Sequence, residues 1–531
     1  MSKPSKILTS AQMNEIDRRT MESGIPGLIL MENAAQRVVE LLVEKFSPLH
    51  DRRIVAFCGR GNNGGDGLAI ARQLWTRFRP KGLQVVLAAP VEDLNRDASA
   101  NYKMLQASGF SGVYAGPLDK IPPEARMAEV VIDAVLGTGV NGAARGGPLD
   151  AIRAINTLFP LAKVVAVDIP SGLSSDSGAL LGEYVRADYT VTFTAFKVGQ
   201  MLAPSCDLMG ELRLGAIGTP PDMLADDKSI QLALITPEYI APLFAARPKE
   251  SNKGSYGHVL IVAGSRGKTG AAALAGLAAL RAGAGLVTVA SAESAIATIA
   301  SHAPELMTAP LPETASGSLA EHAFQIIQEM AERKNVVAVG PGLGTHPETV
   351  KVVRRLYREL EKTMVIDADG LNALAGGDWI GSGHPRILTP HPGEMSRLTG
   401  KEIEEIQHDR VGTAREFASA VDVHLVLKGN RTLLASRDGE VLVNPTGSPG
   451  MATGGTGDVL TGLAAGMIAQ SDLSAEEIRR AVAGAAYLHG LSGEIGAGVV
   501  GEQGLVASDL LRFLPDAVKN IGPRIHTNKH E

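Results

Sequence analysis

Two glycine-rich stretches of different design lie in opposite halves of this chain, and each is tied to an aspartate. The first is Gly61-Asn62-Asn63-Gly64-Gly65-Asp66-Gly67, and the second is Gly454-Gly455-Thr456-Gly457-Asp458. Each stands just before a helical pattern. A glycine run lets the backbone approach a phosphate closely and aim several N–H groups at it. Two such runs imply two sites for phosphate-bearing ligands. The 531 residues suffice for at least two domains, each with a core of its own.

Short apolar runs alternate with helical patterns through both halves. Ile54-Val55-Ala56-Phe57, Val85-Val86-Leu87, Val130-Val131-Ile132 and Val164-Val165-Ala166-Val167 are strand candidates in the first half. Val259-Leu260-Ile261-Val262, Val336-Val337-Ala338-Val339, Met364-Val365-Ile366 and Leu425-Val426-Leu427 are their counterparts in the second. Continuous apolar strands alternating with helices predict parallel sheets covered on both faces. Thr9 and Ser10 can cap a helix running to residue 19, a second helix is expected over 28–45, and a third from Asp66 to Phe78 after the first glycine loop. Residues 1–217 then form one domain and 240–520 another. The stretch 218–239 reads as a linker with a short edge strand at Leu232-Ala233-Leu234.

Composition excludes several classes. The net charge of −6 argues against a broad nucleic-acid surface. No apolar leader follows the amino terminus, and the most apolar helix candidate, residues 271–280, is too short to span a bilayer. Cys58 and Cys206 are the chain's two cysteines and form no metal or redox pattern, so a cytoplasmic protein is expected. The 60 glycines exceed the usual share of about 7%, which fits many tight strand-to-helix turns near ligands.

In the first half, Asp133 ends a strand and leads into Gly137-Thr138-Gly139, and Asp168 ends another in Asp168-Ile169-Pro170-Ser171-Gly172. With the first glycine loop, these fall at the carboxyl ends of strands, where an open parallel sheet binds its ligands. Two plainer readings stand beside this one. The loop can be an unliganded turn, and Asp133 a capping residue.

The ordered set GNNGGDG, DAVLGTGVNG, VDIPSG and Thr194-Ala195-Phe196-Lys197 resembles the NAD(P)HX epimerase (YjeF N-terminal) domain over residues 9–217. The resemblance implies a Rossmann-like three-layer fold that interconverts the R and S forms of hydrated NADH or NADPH. It implies that Asn62, Asn63, Gly64, Gly65 and Asp66, with Gly137, Thr138, Gly139, Val140, Asn141, Gly142 and Ala143, hold the hydrated dinucleotide. Potassium would be bound through oxygens of Asn63, Asp133 and Ser171, as a hard cation prefers. Asp168 is the candidate acid/base. Lys197 either sets the charge of Asp168, contacts phosphate, or is a solvated surface lysine.

In the second half, the Gly454, Gly455, Thr456 and Gly457 backbone at a helix start can cradle a transferring phosphoryl group. Asp458 can take a proton from the attacking hydroxyl, or simply cap the helix. The arrangement resembles the ribokinase superfamily. Its neighbours are Lys253-Gly254-Ser255-Tyr256-Gly257, the loop Ala263-Gly264-Ser265, Gly340-Pro341-Gly342-Leu343-Gly344, Asp367-Ala368-Asp369-Gly370, Thr389-Pro390-His391-Pro392-Gly393-Glu394 and Lys428-Gly429-Asn430-Arg431-Thr432. Together they resemble the NAD(P)HX dehydratase (YjeF C-terminal) family over residues 240–515. That resemblance implies a ribokinase-like α/β domain that dehydrates hydrated NAD(P)H with ADP or ATP. Lys428, Gly429, Asn430, Arg431, Thr432 and Gly457 would contact the adenine nucleotide. Ala272, with Ala271 as the neighbouring register, Gly342, His391 and Asp458 would contact the hydrated dinucleotide, and Glu394 would organise Mg²⁺ through water. His391 can also be a turn histidine, Lys428 a strand-end surface lysine, and Asp369 a helix cap.

The favoured reading is a fused isomerase and lyase that repairs hydrated nicotinamide coenzymes, with small-molecule ligands, no nucleic-acid or membrane partner, and assembly as a homo-oligomer. Its rival is a ribokinase-superfamily small-molecule kinase with a fused nucleotide-sensing domain.

Overall fold

A computed structural model describes residues 3–140, 142–377 and 382–522. Asn141, one of the expected dinucleotide-binding residues, lies outside them. The chain divides into two compact units, one of residues 6–230 and one of residues 231–531 with 1–5.

The 6–230 unit carries a sheet with the spatial order Val113–Tyr114, Gly82–Leu87, Arg53–Cys58, Val130–Ala134, Lys163–Val167, Tyr189–Phe193 and Glu211–Gly215, every neighbouring pair parallel. Its strands are apolar on both faces. Ile54, Ala56 and Cys58 join one core with the helices Gly27–Phe46, Asn62–Arg77 and Arg96–Ala107. Val55 and Phe57 join another with the helix Gly147–Leu158. Side chains alternate faces along a strand, so an unbroken apolar run is what a sheet sandwiched between helices needs. The winding direction reverses between Arg53–Cys58 and Val130–Ala134. A crevice opens beyond the strand ends at such a point, and the segments leaving both strands are the glycine stretches of the sequence.

The helix after the first glycine stretch starts at Asn62, not at Asp66 as expected. Three of its glycines, and Gly59 just before it, therefore serve close packing. A Cβ on Gly59 would lie 1.9 Å from the Val135 carbonyl oxygen, and one on Gly64 would lie 1.8 Å from that of Gly59. A Cβ on Gly65 would meet Met31 at 2.7 Å, and one on Gly67 would meet Ala134 at 2.6 Å. The helix start is pressed onto the strand ends, and side chains would push it away. The first helix, Ser10–Glu22, is longer than expected and is capped by Thr9, whose side chain and that of Gln12 bond each other's backbone N–H.

In the other unit the order is Met307–Leu311, Leu286–Ala292, His258–Val262, Val336–Val339, Thr363–Ile366, Arg386–Leu388, His424–Leu427, Leu433–Ala435, Val441–Val443 and Leu232–Leu234. Pairing is parallel up to His424–Leu427, and Leu433–Ala435 is antiparallel to both its neighbours. Leu232–Leu234 pairs parallel with Val441–Val443. Here the winding reverses between His258–Val262 and Val336–Val339. The helix Thr456–Ile468 lies against Thr269–Arg281, and glycines let the two backbones approach. A Cβ on Gly462 would sit 2.1 Å from the Ala275 carbonyl oxygen, and one on Gly466 would sit 2.6 Å from that of Ala279.

Residues 218–230 are packed. They hold the short helix Asp222–Ala225, an Asp227–Arg19 ion pair at 2.9 Å, and Ile230, which is buried with Leu8, Met13 and Ile16. Among the described residues no helix is long and apolar enough to cross a membrane.

Candidate active sites

In the 6–230 unit a cavity of about 820 Å³ opens at the reversal point, within the range of small-molecule sites. Its lining includes Asn62, Asn63 and Asp66 from the glycine helix, Gly137, Thr138, Gly139 and Val140 from the loop after Val130–Ala134, and Asp168 and Lys197. Gly64 and Gly65 are buried and do not line it. Gly142 and Ala143 line an adjoining smaller pocket that shares Gly139, Val140 and Arg145.

Asp168 leaves the strand Lys163–Val167 with φ at 66°, a left-handed conformation unusual for a side-chain-bearing residue. The Gln200 side chain holds its carbonyl oxygen at 2.7 Å. Strain of this kind persists where the surroundings over-determine it, and it aims a side chain. One Asp168 carboxylate oxygen accepts from Lys197 Nζ at 2.5 Å and from Thr192 Oγ1 at 2.9 Å. Lys197 is 1% exposed and also donates to Thr192 Oγ1 and the Phe193 carbonyl. The surface-lysine reading therefore does not apply, and the ammonium is fixed against the carboxylate.

Asp133 is fully buried at the end of its strand. It accepts from the Ser171 N–H at 2.8 Å, the Ser171 hydroxyl at 2.6 Å and the Val135 N–H at 3.3 Å. Burial pushes its carboxyl up to about 6, against the pull of those bonds. Asn63 donates to the Leu136 carbonyl at 2.9 Å, while its own Oδ1 is buried without a partner. An orphaned buried oxygen beside Asp133 and Ser171, which are tied to the same loop, is a donor set suited to a hard cation.

Asp66, expected from the sequence to hold the dinucleotide, lines this cavity, and it is joined there by Asp17, which the sequence did not single out. Asp66 is buried, and burial, then Asp168 and Asp17, push its carboxyl well above the usual range. Asp17 projects from Ser10–Glu22 into the same cavity, and burial pushes it up to about 6. Nothing in the sequence around Asp17 separates it from the polar face of an ordinary amphipathic helix.

In the other unit the expected residues gather along the carboxyl ends of the central strands. Asp458 lies in the first turn of Thr456–Ile468, behind Gly455, whose φ is 90°. Burial, then the charge of Asp367, pushes its carboxyl up to about 7, with Lys428 pulling the other way. Asp367, at the end of Thr363–Ile366, is 1% exposed and bonds Lys428 Nζ at 2.7 Å and Thr461 Oγ1 at 2.6 Å. Lys428 is thus no free surface lysine. Burial alone would lower its pKa, but Asp367 and Glu394 raise it. A Cβ on Gly457 would lie 3.4 Å from Lys428 Nζ, so the glycine leaves room above the ion pair.

Glu394 is buried, accepts from the His391 N–H at 2.8 Å and stands 3.6 Å from Lys428. His391 caps the helix Pro392–Thr399 by accepting the Gly393 and Glu394 N–H groups at Nδ1, and its outer side stays half exposed. Gly342 has φ at 66°, and a Cβ there would lie 3.1 Å from that of Ala271. Ala272 is fully buried, whereas Ala271 keeps part of its surface. Asp369 ties Lys268 at 3.1 Å to the Gly344 N–H at 2.8 Å.

In the segment from Lys428 to Thr432, a Cβ on Gly429 would meet the Arg410 guanidinium at 2.6 Å. Arg431 donates to the Pro445 carbonyl at 2.8 Å, and Thr432 to that of Gly429 at 3.1 Å. His489, in the long helix Ala475–Val500, meets the Thr456 carbonyl oxygen at 2.8 Å, and burial lowers its pKa to about 4. The glycine loop is thus buttressed by a neutral histidine that carries no sequence motif. In the sequence Asp367 is only one member of the run Asp367-Ala368-Asp369-Gly370, and nothing in that run marks it as the partner of Lys428 and Thr461.

Residues 27–199 match the family model of YjeF-related protein N-terminus, and residues 259–515 that of NAD(P)H-hydrate dehydratase. The chain is 41% identical over 530 residues to the bifunctional NAD(P)H-hydrate repair enzyme Nnr of Moorella thermoacetica, with 98% of each chain covered. It is 39% identical to the protein of that name from Thermofilum pendens, covering 97% of this chain and 96% of that one. Among solved structures, the ADP/ATP-dependent NAD(P)H-hydrate dehydratase from Bacillus subtilis co-crystallised with ATP/Mg²⁺ is 34% identical, with a TM-score of 0.48 over 54% of this chain and 98% of that one.

Proposed function

The chain belongs to the family of bifunctional NAD(P)H-hydrate repair enzymes, and from that premise we propose how its two units divide the work. Residues 6–230 interconvert the R and S forms of hydrated NADH and NADPH, and residues 231–520 dehydrate one form at the expense of ADP or ATP.

The observation that carries the reading is Asp458. A base for an alcohol should titrate near the working pH, and burial beside Asp367 pushes this carboxyl there. The hydrated coenzyme bears a hydroxyl on the ring carbon next to nitrogen. Hydroxide leaves poorly and phosphate leaves well. Asp458 takes the hydroxyl proton as the oxygen attacks the terminal phosphorus of the nucleotide. The amides of residues 454–457 hold the migrating phosphoryl group, and Lys428 offsets its charge. The ring nitrogen lone pair then expels phosphate, and loss of a ring proton restores the dihydropyridine. With ADP as donor the products are AMP and phosphate, and with ATP they are ADP and phosphate.

In the first unit Asp168, oriented by Lys197 and Thr192, is the acid/base at the hydrated carbon. Asn63, Asp133 and Ser171 would hold potassium, and Asn63 Oδ1 is the oxygen that lacks a partner without it. The ion would supply fixed positive charge at the base of the dinucleotide pocket. Among the described residues no cluster of three or more His, Cys, Asp or Glu is poised to hold a metal directly. Since Glu394 is already engaged by His391 and Lys428, it fits a hydrated Mg²⁺ through water, and such an ion would neutralise nucleotide phosphates. Cys58 and Cys206 are both buried and are not joined in a disulfide, which suits a reducing cytoplasm, and the resemblance implies a homo-oligomer, which light scattering tests.

The test of the whole reading is incubation of the purified chain with both epimers, with and without ADP or ATP, following NADH absorbance. Equilibration without nucleotide and complete conversion with it are expected. A stable phosphorylated product would instead mark a small-molecule kinase.

A further inference from the structure

Two of the carboxyl groups that line the epimerase cavity stand in opposite electrical situations. Asp168 is bonded by the Lys197 ammonium and the Thr192 hydroxyl. Asp17 reaches the same cavity from the helix Ser10–Glu22, and its Oδ1 is buried with no hydrogen-bond partner. A buried acceptor left unpaired is costly, so such a group calls for an explanation. Asp17 is not remote from the chemistry, because it lines the same cavity as Lys197 and Asp168 and lies within reach of the charge of both. The remaining charged groups around the cavity are Asp66, buried beside this pair, and Arg60, Asp93, Asp97 and Arg145.

Resting on the epimerase reading above, we propose that Asp17 is the second acid–base group of this site, acting on the face of the ring opposite Asp168. Inversion at a carbon bearing a hydroxyl and a ring nitrogen can run with oxygen leaving one face and arriving at the other, the route that ¹⁸O label distinguishes from ring opening with the oxygen retained. One carboxyl clamped to a lysine cannot serve both faces. Asp17, carrying a proton, donates it to the hydroxyl oxygen as the C–O bond breaks, and the bonding pair departs with water. The ring nitrogen lone pair forms the C=N bond of an iminium. A water on the other face attacks that carbon, its proton passes to Asp168, and the π pair returns to nitrogen. One water leaves and one enters. The net change in the enzyme is one proton moved from Asp17 to Asp168, which is the state that the reverse reaction requires. Burial, which outweighs the opposing pull of the Lys197 charge and favours the protonated form of Asp17, agrees with this starting state.

The experiment uses the full chain without nucleotide, in water enriched in ¹⁸O. Wild type should equilibrate the epimers and incorporate label into the ring hydroxyl. Failure to equilibrate would remove the epimerase reading itself, whereas equilibration without label would overturn only this proposal. Asp17→Asn should slow inversion at least ~100-fold, the lower range for a lost acid–base group. It should still exchange label into the one epimer whose hydroxyl faces Asp168, with retention. A merely structural aspartate predicts parallel loss of exchange in both epimers, and that result, or inversion at the wild-type rate, overturns the proposal. Asp17→Glu should recover inversion well above Asp17→Asn, and equal failure of the two variants also counts against it. ADP-dependent dehydration by the same preparations should be unchanged.

Discussion

Lys428 Nζ lies 2.7 Å from Asp367 Oδ1, and the other oxygen of that carboxylate bonds Thr461, one helical turn beyond Asp458. Asp367 therefore does two things at once. It anchors the helix that presents Asp458, and its charge helps keep Asp458 protonated until near neutral pH.

Asp458→Asn removes the group that takes the hydroxyl proton. Nucleotide-dependent dehydration should fall by about 10²–10⁴-fold, while equilibration of the epimers in the same preparation stays at the wild-type rate. A coupled NADH absorbance assay with and without ADP separates the two activities.

The pH behaviour of that carboxyl follows from its direction of shift. The base form is needed for catalysis, so dehydratase kcat/KM should decline as pH falls through about 7. Stability runs the other way. A carboxyl raised in the folded state binds more protons there than in the unfolded chain between about 4 and 7, so its contribution is lost as pH rises through that window. Asp458→Asn should therefore unfold at a higher temperature than wild type at pH 8, with a smaller gain at pH 5, a comparison that calorimetry makes directly.

Lys197→Met should leave the partly buried Asp168 carboxylate in the cavity without its ammonium partner. Removing one member of a buried pair costs about 3–5 kcal/mol, so the first unfolding transition should move down by many degrees and epimerisation should be lost. Dehydratase activity of the same chain at low temperature should persist, because Lys197 belongs to the other compact unit.

What the sequence disclosed, and what it withheld, divide along a physical line. The alternation of apolar runs with helices was legible because burial on both faces of a sheet leaves no polar positions after the opening arginine in strands such as Arg53–Cys58. Asp168 and Asp458 stood out because each follows a strand or glycine turn at a place where ligands bind. Lys197 could not be told from a solvated lysine, because its burial is decided by Asp168 and Thr192, which come from other strands. Asp17 and His489 sit in ordinary helical sequence, and only tertiary packing aims them at a site. The glycine stretches misled in one respect, since the same residues admit an anion or a close-packed backbone. Gly64 and Gly67 serve the second need, and the helix therefore begins earlier than an anion loop would have it.

Potassium binding predicts a stability readout independent of turnover. The unfolding temperature of the 6–230 unit should rise with KCl over an equal concentration of tetramethylammonium chloride, because binding to the folded state alone adds RT ln(1 + [L]/Kd). Asn63→Ala removes the unpartnered Oδ1 and should abolish the difference. An identical response of variant and wild type would remove Asn63 from the ion site.

Gly61 and Gly64 lie three residues apart in one stretch and should respond oppositely to a methyl group. A Cβ on Gly64 would sit 1.8 Å from the Gly59 carbonyl oxygen and 2.5 Å from its carbon, all backbone. Backbone cannot step aside as a side-chain tip can, so Gly64→Ala must lift the helix Asn62–Arg77 off the sheet. Overpacking a dense interior typically costs 1–3 kcal/mol, and a clash this deep belongs at or above the upper end. Gly61 caps the same helix with φ at −92°, a value open to any residue, and has nothing within 4 Å of its Cβ position. Gly61→Ala should leave the unfolding midpoint within about 0.5 kcal/mol of wild type. It also points a methyl toward the cavity that Gly61 lines, so its effect should appear in the KM for the hydrated coenzyme. If stability instead falls equally in both variants, the stretch is a rigid anion loop throughout. A fall confined to Gly64→Ala assigns the interior glycine to packing and the outer one to the ligand.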